Sequence, residues 1–266
     1  MVGKNIRSKH ILGKHILGKH LLSKHLRGLL VSLALVVSTL APAAAEGLQV
    51  AYAPAALPPP ARGAEGLFGT AEYFSSDITP FYKWTEALSR SQTEIASALG
   101  PCPVGATEAC APRPWVALLA TLQGLDLRAK AVRVNAEINR YPYVPSQVNW
   151  GTANHWETPF EFFRRSGQCQ DYAIAKFMAL RAAGVPNELM RIVVVRDLAQ
   201  AVDHAVLAVY VDGEALVLDN QTDAILPASE IVRYRPYYSI NEAGWWRHMP
   251  RRSDFVADAG RSRAPR

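Results

Sequence analysis

Apolar residues recur at helical spacing through the first part of the patterned chain and at strand spacing after it. Phe81, Trp84, Leu88, Ile95 and Leu99 trace one stripe that stops at Gly100-Pro101, which predicts a helix. Trp115, Leu118, Leu119 and Leu122 mark a second helix. Asp126 is placed to cap a third, which buries Leu127, Val134 and Ile138. Asn-rich sequence then reads as loop up to Trp156. Thr158-Pro159-Phe160-Glu161 has the form of a capping box with proline at the first helical position. Cys169 opens a longer helix with Ala173, Phe177 and Leu180 on one face, ended by Gly184-Val185-Pro186. Three strand-like runs come after it: Leu189 to Val195, His204 to Val211, and Ala215 to Asp219. Asp212-Gly213 is a hairpin turn between the last two. A helix followed by consecutive strands predicts an α+β fold, with helices on an antiparallel sheet, over residues 79–250.

The flanks carry no such pattern. Residues 46–78 are rich in Ala, Pro and Gly, including Pro58-Pro59-Pro60, and read as a linker or irregular arm. Residues 251–266 are charged and poor in large apolar side chains, which predicts a disordered tail. Residues 1–45 have the parts of a signal peptide: a basic stretch to Arg27, an apolar run from Leu29 to Ala41, and Ala43-Ala44-Ala45 before Glu46. That run is too short for a membrane span of roughly 20 residues. Within the basic stretch Lys-His-Ile-Leu-Gly recurs every five residues from Lys9 to Gly28, a period that fits no heptad or structural repeat. It reads as a duplicated leader or a misassigned start rather than as a metal site built from its four histidines.

Charge changes little once it is located. The formal net charge is +6, but Lys4, Arg7, Lys9, Lys14, Lys19, Lys24 and Arg27 all lie in the leader; subtracting those seven leaves −1. The remainder is near neutral, so nothing points to nucleic acid. The cysteines change more. Cys102 and Cys110 stand close together among turn formers and can close a small disulfide loop in an oxidising compartment, leaving Cys169 as an odd thiol. Catalysis is the best reason for it.

A thiol attacks as its thiolate, which a helix N-terminus and a nearby imidazolium both favour. Cys169 has the first by its predicted position. His204 begins one strand of the predicted hairpin and Asp219 ends the other, which makes them cross-strand neighbours. The carboxylate would then orient the imidazole toward the thiol. The pattern is equally met by a buried structural cysteine with two unrelated polar residues at strand ends.

Gly167-Gln168-Cys169-Gln170-Asp171-Tyr172-Ala173-Ile174-Ala175-Lys176 resembles the G-D-C-E-D-Y-A-I-A-K signature of the bacterial transglutaminase-like cysteine proteinases, LapG-type members included. Trp156 with Thr158-Pro159, His204-Ala205-Val206-Leu207, Leu218-Asp219-Asn220, and Tyr238-Ser239-Ile240-Asn241 with Gly244-Trp245 are similar to its further motifs, over roughly residues 130–246. The resemblance implies a papain-like, transglutaminase-like core in the periplasm, with Cys169 as nucleophile, His204 as base and acid, and Asp219 as orienter. It implies a large surface adhesin as substrate, cut in its N-terminal region at a di-alanine, and recruitment by an inner-membrane receptor for a cyclic dinucleotide.

The sequence departs from that family where it matters for metal. Gln168 and Gln170 stand where LapG-type proteins carry acids associated with calcium, and Asp171 alone remains as a candidate metal ligand. A hard cation prefers several charged oxygens. The expectation is a calcium-independent enzyme that requires no cofactor, with Asp171 capping the Cys169 helix. Two other readings stay open: a transglutaminase-fold binding module whose site is unused, and an amine-transferring enzyme that cross-links through the same acyl-enzyme. Zinc is a weaker idea, since Cys169, His204 and Asp219 include no close-spaced ligand pair.

Overall fold

The protein is seen here as a computed structural model that describes residues 66–98 and 110–251. The leader, most of the arm, Leu99, Cys102 and all of the tail but Arg251 lie outside these residues. The predicted helices form as α1 (Tyr82–Ala98), α2 (Arg113–Thr121), α3 (Leu127–Ile138), α5 (Pro159–Arg165) and α6 (Cys169–Ala182). Their ends follow local chemistry. The Asp126 side chain accepts from Ala129 N at 2.8 Å. Thr158 and Glu161 exchange side-chain and backbone hydrogen bonds across the first turn of α5. Both arrangements satisfy N–H groups that a helix start leaves unpaired.

The sheet is antiparallel throughout. Its described strands run in the order β1-β7-β6-β2-β3-β4-β5. The three predicted strands are β2 (Met190–Asp197), β3 (Val202–Val211) and β4 (Glu214–Leu218). Asp212 and Gly213 both have positive φ, 52° and 85°, as the tight two-residue turn between β3 and β4 requires. The α+β expectation holds.

Four of the described strands and one described α-helix were not expected. The arm predicted as irregular contains β1 (Ala71–Ser75), which pairs with β7 (Gly244–Met249) from Ala71↔Met249 to Ser75↔Trp245. This edge strand leaves Tyr73 and Phe74 exposed, so it shows no alternation to read. β5 (Leu226–Pro227) is two residues long, and β6 (Tyr234–Asn241) contains Pro236 at a bulge opposite β2. Helix α4 (Ser146–Trp150) is one short turn inside the Asn-rich segment.

Helix α6 is the centre of the molecule. Its residues are buried from Gln170 to Leu180 on every side, against β2 and β3 on one side and α2, α3 and α5 on the other. The predicted single apolar face is thus too narrow a reading. Ala173, Ala175 and Ala179 let neighbours approach, while Phe177 meets Trp84 of α1 edge-on with ring centres 5.3 Å apart. Truncating a buried Phe of this kind costs about 3–5 kcal/mol. A second apolar cluster, including Val193, Val206, Ala208, Val217 and Tyr234, covers the other sheet face.

Candidate active site

Cys169 occupies the first position of α6, half-buried and free. The chain enters this helix under tight local control. Val144 N donates to Gly167 O at 2.9 Å, and Ser146 N reaches Gln168 Oε1 at 3.4 Å. Asp171, in the first turn of α6, accepts from Gln168 N at 2.9 Å, which anchors the helix start. Gly167 is required for that approach: a Cβ there would sit 2.6 Å from the Asp171 Cβ.

His204 on β3 and Asp219 at the end of β4 are buried, 5 % and 3 % exposed, and His204 Nε2 lies 2.8 Å from Asp219 Oδ1. They are diagonal rather than directly opposite neighbours. The ladder runs to Leu207↔Leu218, so one further step sets Asp219 beside Val206, two residues from His204 on the same face. With Nε2 held by the carboxylate, Nδ1 is the ring nitrogen left to serve Cys169, whose thiol donates to Gln170 Oε1 at 3.6 Å. Cys169, His204 and Asp219 line one open cleft of about 1010 Å³, together with Tyr143, Val232 and Tyr234.

Electrostatics separate the three groups. Burial opposes protonation of His204, but its hydrogen bonds to Asp219 and Cys169, and their charges, raise its pKa to about 9. Burial would raise Asp219; the hydrogen bond and charge of His204, with Tyr234 and the Gln221 backbone, bring it down to about 2. Neutral pH therefore favours an imidazolium beside a carboxylate. Two residues that shape this pair escaped sequence reading: Tyr234 donates its hydroxyl to Asp219 Oδ2, and Arg233 Nη2 lies 3.4 Å from the same oxygen. No spacing signal identifies them, because they come from the first residue of β6 and the residue before it, on the far side of β2.

Asp171 is fully buried and turned away from chemistry. Its Oδ1 accepts from Glu157 N at 2.9 Å, and Oδ2 accepts from Gln168 N at 2.9 Å and Gln170 Nε2 at 3.3 Å. Burial first, and the charge of Glu157 second, raise its pKa to about 8. Glu157, also fully buried, is the acid that sequence reading missed. Its Oε1 accepts from Trp150 Nε1 at 2.6 Å and Asn149 Nδ2 at 3.2 Å, while Oε2 has no hydrogen-bond partner among the described residues. One unpartnered carboxylate oxygen beside a carboxylate already engaged by three donors is few of the six to eight oxygens that calcium takes.

The model of the bacterial transglutaminase-like cysteine proteinases matches residues 106–253, more than half of the chain. The search of curated proteins gave no match. Among solved structures, Legionella pneumophila LapG is similar at 26 % identity, covering 67 % of this chain and 96 % of that one, with a TM-score of 0.48. Its calcium-bound form is similar at 25 %, covering 67 % and 98 %, with a TM-score of 0.47. A putative cysteine protease from Cytophaga hutchinsonii is similar at 13 %, covering 57 % and 65 %, with a TM-score of 0.32. The family match settles what the free cysteine at the head of α6 left open: the chain belongs to the bacterial transglutaminase-like cysteine proteinases and is a cysteine peptidase.

Proposed function

We propose that Cys169, His204 and Asp219 carry out peptide hydrolysis in an exported endopeptidase. The observation that supports this most is His204, held by Asp219 at 2.8 Å, lining one open cleft together with Cys169. In this reading the Cys169 thiolate attacks the scissile carbonyl, and the developing oxyanion meets backbone N–H groups at the start of α6, including that of Cys169. The His204 imidazolium gives its proton to the departing amine, leaving a thioester on Cys169 and a neutral imidazole. Imidazole then takes a proton from water as the water attacks the thioester; the carboxylic acid forms and the Cys169 thiolate leaves, which restores the thiolate–imidazolium pair. Asp219 holds the ring and its charge throughout.

The substrate proposed from family resemblance is the N-terminal region of a large surface adhesin, cut at a di-alanine, in the service of adhesion and biofilm control. An inner-membrane cyclic-dinucleotide receptor is the proposed recruiting partner, and the periplasm the proposed location. The exposed aliphatic side chains of Val202, Leu226 and Val232 on the cleft rim suit small apolar neighbours of the cut bond. No step needs a metal, and we read Asp171 as a helix cap. The mature chain is expected to begin near Glu46, with Cys102 joined to Cys110; both Glu46 and Cys102 lie outside the described residues.

The test is incubation of wild type and Cys169→Ala with a purified adhesin fragment that contains a di-alanine, and with the same fragment lacking it. Cutting of the first fragment alone, by wild type alone, is expected. Cleavage of unrelated peptides with both adhesin fragments left intact would reject the substrate and keep the peptidase.

A further inference from the structure

We propose that Asn135 of α3 and Asn139, the residue that caps its C-terminal end, with Lys176 of α6 behind them, are positioning residues that hold the 219–223 turn so that the Asp219 carboxylate meets His204. The proposal rests on the triad reading given above and adds to it the groups that keep its third member in place.

Sheet pairing does not do this by itself. The β3–β4 ladder stops at Leu207↔Leu218, one residue short of Asp219. From Asp219 to Asp223 the chain turns, and the carbonyls of that turn need donors, which α3 supplies. Asn139 Nδ2 lies 2.9 Å from Asp219 O, 3.0 Å from Thr222 O and 3.0 Å from Asp223 Oδ1. Asn135, four residues earlier on the same helix face, points Nδ2 at Thr222 O (3.2 Å) and Asp223 O (3.3 Å). The carbonyls of residues 219, 222 and 223 are thus all held by two side-chain amides.

Lys176 determines which way the deeper amide faces. An ammonium can only donate, and Lys176 Nζ donates to Asn135 Oδ1 at 2.7 Å, so the amide nitrogen must turn toward the carbonyls. Both residues are fully buried. A lysine so placed is costly unless something favours its charge. Burial lowers its pKa to about 7, and the charges of Asp219 and Asp223 work against that fall. The ammonium is therefore coupled to the carboxylate that orients His204, as well as to the amide that holds its turn.

A purely structural role would make the same contacts, so the test must read the catalytic pair. Alkylation of Cys169 by iodoacetamide at about pH 6 needs no substrate and reports the thiol in the presence of His204. Asn139→Ala is the preferred change, because Asn139 is half-buried at the end of α3 and its loss leaves the core packed. It is expected to slow alkylation roughly tenfold, as loss of a supporting hydrogen bond does at other reactive sites. In an Asp219→Ala background the same change is expected to add less than about twofold, since its effect passes through the missing carboxylate. Lys176→Met should behave likewise; if it lowers expression, the Asn139 cycle decides alone. Equal slowing in both backgrounds, or an unchanged rate with a lowered melting temperature, would overturn the proposal while leaving the triad standing. An Asp219→Ala protein that alkylates like wild type would overturn both.

Discussion

Two buried histidines of one sheet, His204 on β3 and His248 on β7, are each 5 % exposed and each hydrogen-bonded through its ring, yet they are driven to opposite charge states. His248 sits between two hydroxyls: Nδ1 is 2.8 Å from Thr70 Oγ1 and Nε2 is 3.0 Å from Ser239 Oγ. Burial lowers its pKa to about 4. Glu72 is near enough to oppose that, 3.7 Å away, but its other oxygen is held by Arg191 at 2.7 Å, and Arg191 in turn disfavours charge on the ring. His204 has its carboxylate at 2.8 Å in a direct hydrogen bond. The guanidinium of Arg233 is 3.4 Å from Asp219 with 37 % of its side chain exposed, so water screens it. Burial is shared between the two sites. What differs is a carboxylate in contact whose charge no buried guanidinium has already neutralised.

That contrast can be broken at several points, and the largest effect is expected at His204. His204→Ala removes the proton carrier of the proposed mechanism, and peptidase activity should fall by roughly 10³-fold or more, measured as kcat/KM on any peptide the wild type cuts. Asp219→Asn keeps the hydrogen-bonding shape but not the charge. It should leave a measurable remnant, with a loss of roughly 10²- to 10⁴-fold.

The pH profile sharpens the comparison next. The proposed mechanism needs the His204 proton, so kcat/KM of the wild type should decline as pH rises through about 9, and Asp219→Asn should move that decline to lower pH. Stability should respond oppositely at the two rings. The folded pKa of His204 lies above its unfolded value near 6.5, so its contribution is complete below about 6.5 and is lost as pH rises through about 9. The folded pKa of His248 lies below that value, so its contribution is present above about 6.5 and is lost as pH falls through about 4. The stability advantage of wild type over His248→Gln, from urea melts, should therefore shrink between about pH 7 and pH 4.

The smallest effect is expected from chelation. EGTA should leave activity within about twofold, and added calcium should shift the melting temperature by less than about one degree, since weak binding contributes little linkage stabilisation. Gln168→Asp with Gln170→Glu should create calcium binding, seen by titration calorimetry. A wild type silenced by EGTA would point to Glu157 as the carboxylate that completes a site with Asp171.

Much of the framework behind this contrast was written in local sequence. The Asp126 and Thr158–Glu161 caps, the Asp212-Gly213 turn and the Cys169 helix each depend on residues a few positions apart, so pattern reading found them. β1, β6 and β7 were missed because their order comes from backbone pairing across the chain: β1 meets β7 from more than 160 residues away in sequence and shows no alternation of its own. The site divides the same way. Cys169, His204 and Asp219 sit at or near element ends that periodicity marks, and the motif resemblance points to them. Asn135, Asn139 and Tyr234 look like ordinary polar positions until α3 and β6 are brought against the Asp219 turn. Glu157 is invisible as a partner of Asp171 because it approaches through its backbone N–H and its charge.

The central claim is that one thiol performs the cleavage. Wild type and Cys169→Ala, purified alongside one another and matched for melting temperature, should be incubated with a diverse peptide library and the products read by mass spectrometry. New termini are expected with wild type and none with Cys169→Ala, together with covalent capture of Cys169 by a thiol-directed inhibitor that abolishes the wild-type products. The same cleavage products from both proteins would contradict the claim.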